Sequence, residues 1–270
     1  MALRFAGPSA RRPLVATIAV ALALAVAACG PSATPLTDPV EILQAGAASL
    51  GELETVHLRG AIDGEVAINA LGIGGGAPLP LDGTTLEGDV DVAGEALAVE
   101  LLAPSLFNFR LDLVVVDGFS YLRAPLLTGE RWVQQPAAGG VGGDPGVILE
   151  GMAAFLARPE LEPEKLEDTR CTGTDCYTVR FTVPAAEVRD ALGSLGTSIP
   201  GLADAVGDVT VTAGVRKNDL RLATLGLDIP AGGAAPLAIR LELSKYDEPL
   251  TITAPPADEV DDAPGGLLRG

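Results

Sequence analysis

The run Phe107-Asn-Phe-Arg-Leu-Asp-Leu-Val-Val115 puts an apolar side chain at every second position. Phe107, Phe109, Leu111, Leu113 and Val115 fall on one side, with Asn108, Arg110 and Asp112 between them. A period of two fits a strand with one apolar face and excludes a helix. The same alternation recurs along the chain. It appears at Val56, Leu58, Gly60 and Ile62; at Leu86, Val90 and Val92; at Leu97, Val99 and Leu101; and at Phe119 and Tyr121. Trp132-Val133 follows a turn. Later come Tyr177, Val179, Phe181 and Val183; Val209, Val211 and Val215; Leu220, Leu222, Leu225 and Leu227; Leu237, Ile239, Leu241 and Leu243; and Leu250 and Ile252. The runs follow one another through turns drawn from 33 Gly and 21 Pro, without regular strand–helix alternation. Ten or eleven strands joined this way predict an antiparallel sheet with one wet face.

Three helices interrupt the strands. Asp38-Pro39 reads as an N-cap and first turn, with Glu41 three residues after the cap, and Leu43, Ala47 and Leu50 form a stripe. Asp144-Pro145 opens a second helix bearing Ile148, Met152, Phe155 and Leu156. Pro184 opens a third, with Val188, Leu192 and Leu195 on one face, and a further turn or helix is expected near 200–206. Gly-rich stretches at 72–78 and 137–143 read as loops. The class is therefore α+β, with a folded domain over 39–255. The acidic tail 256–270 is expected to be disordered.

The N-terminus carries an address. Arg4, Arg11 and Arg12 precede an apolar run from Leu14 to Ala28, and small residues lead to Cys29. A basic start, a short apolar stretch and small residues at the cut define a secretory signal over 1–28. The run is shorter than the roughly 20 residues that cross a bilayer comfortably. Small residues directly before a Cys resemble the lipobox of bacterial lipoproteins. That likeness implies a diacylglyceryl thioether on Cys29, membrane attachment and extracytoplasmic localisation. An uncleaved anchor is the competing reading. Residues 30–38 then form a tether rich in Pro, Ser and Thr.

The formal net charge is −18, and loss of the leader removes three arginines and no acid. Such a surface repels nucleic acid, so no nucleic-acid partner is expected. Cys171 and Cys176 flank Thr-Gly-Thr-Asp, a turn-forming stretch, and pair most simply as a disulfide in an oxidising compartment. Metal binding is the alternative, but the one His in the chain, His57, is far away in sequence. His57 sits in an alternating strand and reads as a solvent-facing side chain. No nucleophile elbow, zinc-protease or phosphate-loop motif occurs. No catalytic residue, metal or cofactor is assigned, and the chain is read as a monomer and not as an enzyme.

The order of parts resembles one known family, the mycobacterial-type LppX/LprA/LprF/LprG lipoproteins of LolA/LolB-like fold. The features are a lipobox, an amphipathic helix and then Thr55-Val-His-Leu-Arg-Gly60; Asp117-Gly-Phe-Ser-Tyr121 leading to Gly129-Glu-Arg-Trp132; Asp144-Pro145 opening an apolar helix; and the closing segment Ser244 to Pro255. The likeness spans about 40–255. It implies a strongly curved antiparallel sheet, a half-barrel, with about three helices over its concave face. It also implies an apolar cavity that holds acyl chains of a lipid or glycolipid in transit within the envelope. Expected lining residues are Leu58, Val90, Val99, Phe107, Phe109, Leu111, Leu113, Val115, Tyr121, Ile148, Met152, Phe155, Val179, Phe181, Val211, Leu222, Ile239 and Leu241. The competing function is an envelope sensor or interaction protein that uses the same fold without lipid.

Overall fold

The computed structural model describes residues 35–67, 78–137, 144–188, 207–230 and 236–262. The leader, Cys29, the tether up to residue 34, Leu192 and Leu195, the stretch 200–206 and the last eight residues lie outside the described residues.

Helix α1 spans Pro39–Gly51. The Asp38 carboxylate accepts from the Val40 amide at 2.9 Å, so the expected cap is in place. Ile42, Leu43, Gly46, Ala47 and Leu50 form its buried stripe. A Cβ on Gly46 would stand 2.7 Å from a Val215 methyl, so only glycine lets α1 seat this closely on the sheet.

The strands are β1 Thr55–Asp63, β2 Glu65–Ala67, β3 Pro78–Pro80, β4 Thr84–Asp91, β5 Ala96–Ala103, β6 Phe109–Val116, β7 Phe119–Arg123 and β8 Trp132–Pro136. After α3 come β9 Glu164–Lys165, β10 Thr169–Cys171, β11 Thr174–Val183, β12 Val209–Arg216, β13 Leu222–Ile229, β14 Leu237–Ser244 and β15 Val260–Asp262. A short helix α2, Pro125–Thr128, sits between β7 and β8, and α3 spans Pro145–Leu156. The expected third helix starts at 185. The strand number exceeds the ten or eleven expected because five strands have only two or three residues, too short to show a period.

Thirteen strands form one open sheet, ordered β10-β11-β12-β13-β14-β1-β4-β5-β6-β7-β8-β15, with β9 beside β11. Two meanders, β4–β8 and β10–β14, are joined through β1, which pairs with both β4 and β14. Every pair is antiparallel except β15 on β8. Strands β6 and β11 are seven places apart, about 34 Å along a flat sheet at the usual strand spacing. Yet Val115 of β6 and Val179 of β11 belong to one core, with Val56, Val90, Val211, Leu43, Leu50 and Leu149. The sheet is therefore strongly curved, a half-barrel around α1 and α3.

The outer face is charged. Arg59 meets Glu87 at 3.2 Å, Arg110 meets Glu100 at 2.9 Å, and Asp112 holds both Arg110 and Arg123. Beside these pairs lies a second core of Ala96, Val116, Tyr121 and Trp132, joined by Val114, Ile252 and Val260. The segment after β14 crosses this face and ends as β15. Residues 257–262, expected to be disordered, instead form a 3₁₀ turn and that edge strand. Arg131 fixes them through Asp261 at 2.8 Å and the Asp258 and Val260 carbonyls.

Three lining expectations fail on orientation. Tyr121 belongs to the outer core, because Ser120 and Leu122 take the inward positions of β7. Phe107 is 91 % exposed in the β5–β6 turn. There it and Asn108 adopt φ of 59° and 56°, so the alternation is broken before β6 begins at Phe109. Ile148 is 52 % exposed, because α3 buries the neighbouring stripe of Pro145, Leu149 and Leu156. His57 lies on the outer face as expected but is buried, with Nδ1 2.8 Å from Asp89 and Nε2 3.4 Å from Glu87. Two acids from the neighbouring strand replace the expected solvent.

Candidate functional site

The inner face of the sheet divides into two zones. Near α1 and α3 it is closed. Val90, Leu113, Val115, Val179, Phe181, Val211 and Leu222 are all buried and packed into the main core. Met152 and Phe155 of α3 are half-buried against the same core, and the Phe155 and Phe181 rings stand 6.4 Å apart. These residues are together, as the sequence suggested, but as packed core.

Toward the other end of the strands the inner face opens. Leu58, Val99, Phe109, Leu111, Ile239 and Leu241 are half-buried. Registry makes them one surface. Leu225, Leu241, Gly60, Leu86, Leu101 and Leu111 follow one another across β13, β14, β1, β4, β5 and β6. A parallel row runs through Leu227, Ile239, Ile62, Thr84, Ala103 and Phe109. Ile62, Leu86, Leu101 and Leu227 are thus wall residues that the lining prediction omitted, although each sits in the alternating pattern. No ionised group occurs in either row.

Two glycines shape this wall. A Cβ on Gly60 would stand 3.0 Å from Leu241 and 3.1 Å from Leu86, and one on Gly88 would meet the Ala98 carbonyl at 2.6 Å. Glycine inside a strand marks a bend or a close approach. Here it leaves room between the apolar side chains of adjoining strands.

Polar groups on the inner face are few and unusual. The hydroxyls of Thr84, 2 % exposed, and Ser120, fully buried, have no hydrogen-bond partner. Gln135 is the direct cross-strand neighbour of Ser120, and its amide nitrogen is also buried without a partner. A buried hydroxyl without a partner costs on the order of 1–3 kcal/mol. Nothing in the sequence marks these residues beyond their place on an inward position.

Other features offer less. A cleft of about 370 Å³ is lined by Arg158, Glu160, Glu162, Glu164, Arg180 and Glu187, walls too charged for an acyl chain. A second, of about 500 Å³, lies on the outer face between Tyr121, Gln134 and the segment 254–261. Among the described residues no group of three His, Cys, Asp or Glu is arranged to hold a metal. Among the same residues no helix is long and apolar enough to cross a membrane. Cys171 and Cys176 are bonded, with Cα atoms 6.0 Å apart. The turn is tighter than the sequence implied. Thr172 and Gly173 alone form it, at φ 47° and 84°, and the cysteines bridge diagonally from β10 to β11.

No family model matches the sequence, and no curated protein matches it. Solved structures do. LprF from Mycobacterium bovis superposes with a TM-score of 0.55 at 18 % identity, covering 82 % of this chain and 99 % of that one. The Mycobacterium tuberculosis lipoprotein LppX superposes with a TM-score of 0.52 at 14 % identity, covering 80 % of this chain and 100 % of that one. The curved open sheet, the helix pair on its inner face and the near-complete coverage of both relatives agree with the likeness read from the order of parts. The chain has the fold of LprF and LppX.

Proposed function

We propose that this protein is an extracytoplasmic lipoprotein, held to the cell membrane through Cys29, that binds the acyl chains of a lipid or glycolipid along its open inner wall. It carries that lipid within the cell envelope. The observation that supports this most is the wall itself: two rows of mainly apolar side chains on the concave side of a curved sheet, in which Ile62, Leu86, Leu101, Phe109, Leu111, Leu227, Ile239 and Leu241 are only half-buried although they face inward. Each methylene transferred from water to such a surface is worth about 0.8 kcal/mol, before the cost of ordering the chain. The unpartnered hydroxyl of Thr84, in the second of these rows, would gain a bond from an ester or hydroxyl of the ligand.

The test uses the full chain with Cys29→Ala, so that no anchor lipid is counted. Organic extraction and mass spectrometry of the folded protein should recover an acylated molecule in near-stoichiometric amount. Leu111→Glu, at a half-exposed wall position, should abolish recovery while the far-ultraviolet dichroism stays unchanged. Folded protein that yields no lipid, and instead crosslinks to an envelope protein, would favour the sensor reading. Separately, mass spectrometry of the mature wild-type N-terminus should show acylated Cys29.

A further inference from the structure

At the open end of the wall, three large apolar side chains project into solvent. Phe107 is 91 % exposed on the β5–β6 turn, and Leu126 and Leu127 are 63 % and 73 % exposed on α2, between β7 and β8. The two turns are neighbours, because α2 follows β7, which pairs with β6. Exposed apolar groups of this size normally occur singly, and a cluster marks an interaction surface. The backbone holds this cluster deliberately. Phe107 and Asn108 both take the left-handed conformation, which a bulky side chain rarely adopts. The Asn108 amide donates to the Pro104 carbonyl at 3.2 Å, which fixes the turn.

We infer that these two turns form a membrane-docking tip, which enters a lipid bilayer and brings the open end of the inner wall to the lipids. Charge selects this occupant. The chain carries 36 acidic residues, yet stretches 101–111 and 119–129 contain none, only Arg110 and Arg123. The opposite ends of the same strands differ: the β4–β5 turn holds Glu95 and the β6–β7 turn holds Asp117. An acidic surface is repelled by anionic lipid headgroups, so an apolar tip free of acids can approach them where an acidic turn cannot. The apolar tip is also continuous with the wall through Phe109 and Leu111. A lipid would thus pass between bilayer and wall without crossing water. The inference concerns depth of entry into the bilayer and stands whether or not a lipid is carried away.

The experiment places tryptophans in the full chain reconstituted in phosphatidylcholine–phosphatidylglycerol vesicles, with Trp132 retained as the buried reference. Phe107→Trp reports the tip. Ile148→Trp reports an exposed site at the other end of the strands, where Gly146 approaches Val92. Both positions are exposed, so neither change should disturb folding. Brominated acyl chains should quench the added emission at position 107 several-fold more than at 148, with a blue shift at 107 alone. Adding Leu126→Ser and Leu127→Ser should abolish both signals. Equal quenching at the two positions, or none at 107, overturns the inference. So does a blue shift at 107 that grows with protein concentration in the absence of vesicles, since a second copy then covers the tip.

Discussion

Ser120 is a polar group that the fold leaves unserved. Its hydroxyl is fully buried on the inner face, beside Gln135, with no partner. Removing an unsatisfied hydroxyl is neutral or stabilising, whereas removing a satisfied one is costly. Ser120→Ala should therefore raise the stability of lipid-free protein by about 1 kcal/mol and leave lipid recovery unchanged, since Ser120 faces Val115 in the closed zone. Urea unfolding with and without extraction checks both halves, and a loss of stability in the extracted protein would sink the idea. Tyr246 makes the opposite case, a polar group fully served by the fold. Its hydroxyl lies 2.9 Å from the Leu222 carbonyl and 2.7 Å from the Leu243 carbonyl, and burial pushes its pKa up to about 12. The folded state holds this proton more tightly than the unfolded chain, whose tyrosines titrate near pH 10. Its stabilising effect is complete below pH 10 and is lost as the pH rises toward 12. Tyr246→Phe should flatten that part of the stability–pH curve, read by unfolding at fixed denaturant. Single-residue roles of this kind were poorly legible in the sequence. Alternation gives the side a residue faces only while the strand lasts. Phe107 escaped it because its turn adopts left-handed backbone, and Tyr121 because the inward positions of β7 fall on Ser120 and Leu122.

Elements were read better than residues, and the reason is periodicity. Every strand of five or more residues except β8 corresponds to an alternating run, and α1 appears with the cap and stripe that its sequence announces. The strand expected at Leu250 and Ile252 does not form, and that stretch has no regular structure; the other misses are elements without a period. Strands β2, β3, β9, β10 and β15 have two or three residues each, too few for a period to show. In α3 the helix itself was legible but its rotation was not. Two adjacent apolar stripes compete, and packing against α1 buries Leu149 and Leu156 in place of Ile148. The β10–β11 hairpin joins both kinds of information. Its cysteines were visible, while the two-residue Thr172-Gly173 turn that aligns them diagonally was not. Closing so short a loop should contribute about 2 kcal/mol through the unfolded state. Replacing both Cys171 and Cys176 by Ser should lower the unfolding free energy by that amount, read as a lower urea midpoint, without altering the wall, so lipid recovery should persist. An unchanged midpoint would show that the edge hairpin is held by its strand pairing alone.

For the molecule as a whole, an open sheet must protect two edges. One edge ends in the disulfide-bonded hairpin. The other, β8, is covered by β15, the one parallel strand, delivered by a segment that crosses the outer face and packs Ile252 and Val260 against Trp132, Val116 and Tyr121. This arrangement leaves the inner wall untouched while closing the sheet from outside, so edge protection and ligand access are separated onto two faces. A strand that supplies only three paired residues is weak alone, and Arg131 reinforces it with contacts to Asp261 and to two carbonyls. A chain shortened to end at Pro256 should expose the β8 backbone and uncover Trp132, the sole tryptophan, which is 8 % exposed in the intact fold. Its emission should shift to the red, and the protein should self-associate through β8 in sedimentation velocity. Arg131→Ala should produce a smaller red shift, because it loosens β15 without removing it. Lipid recovery should survive both changes, since the wall rows are built from strands β13, β14, β1, β4, β5 and β6 and do not depend on this edge. If the shortened chain keeps its emission maximum and stays monomeric, the edge is protected by something other than β15. If it loses lipid as well, wall and edge are coupled, and the two faces are not separate.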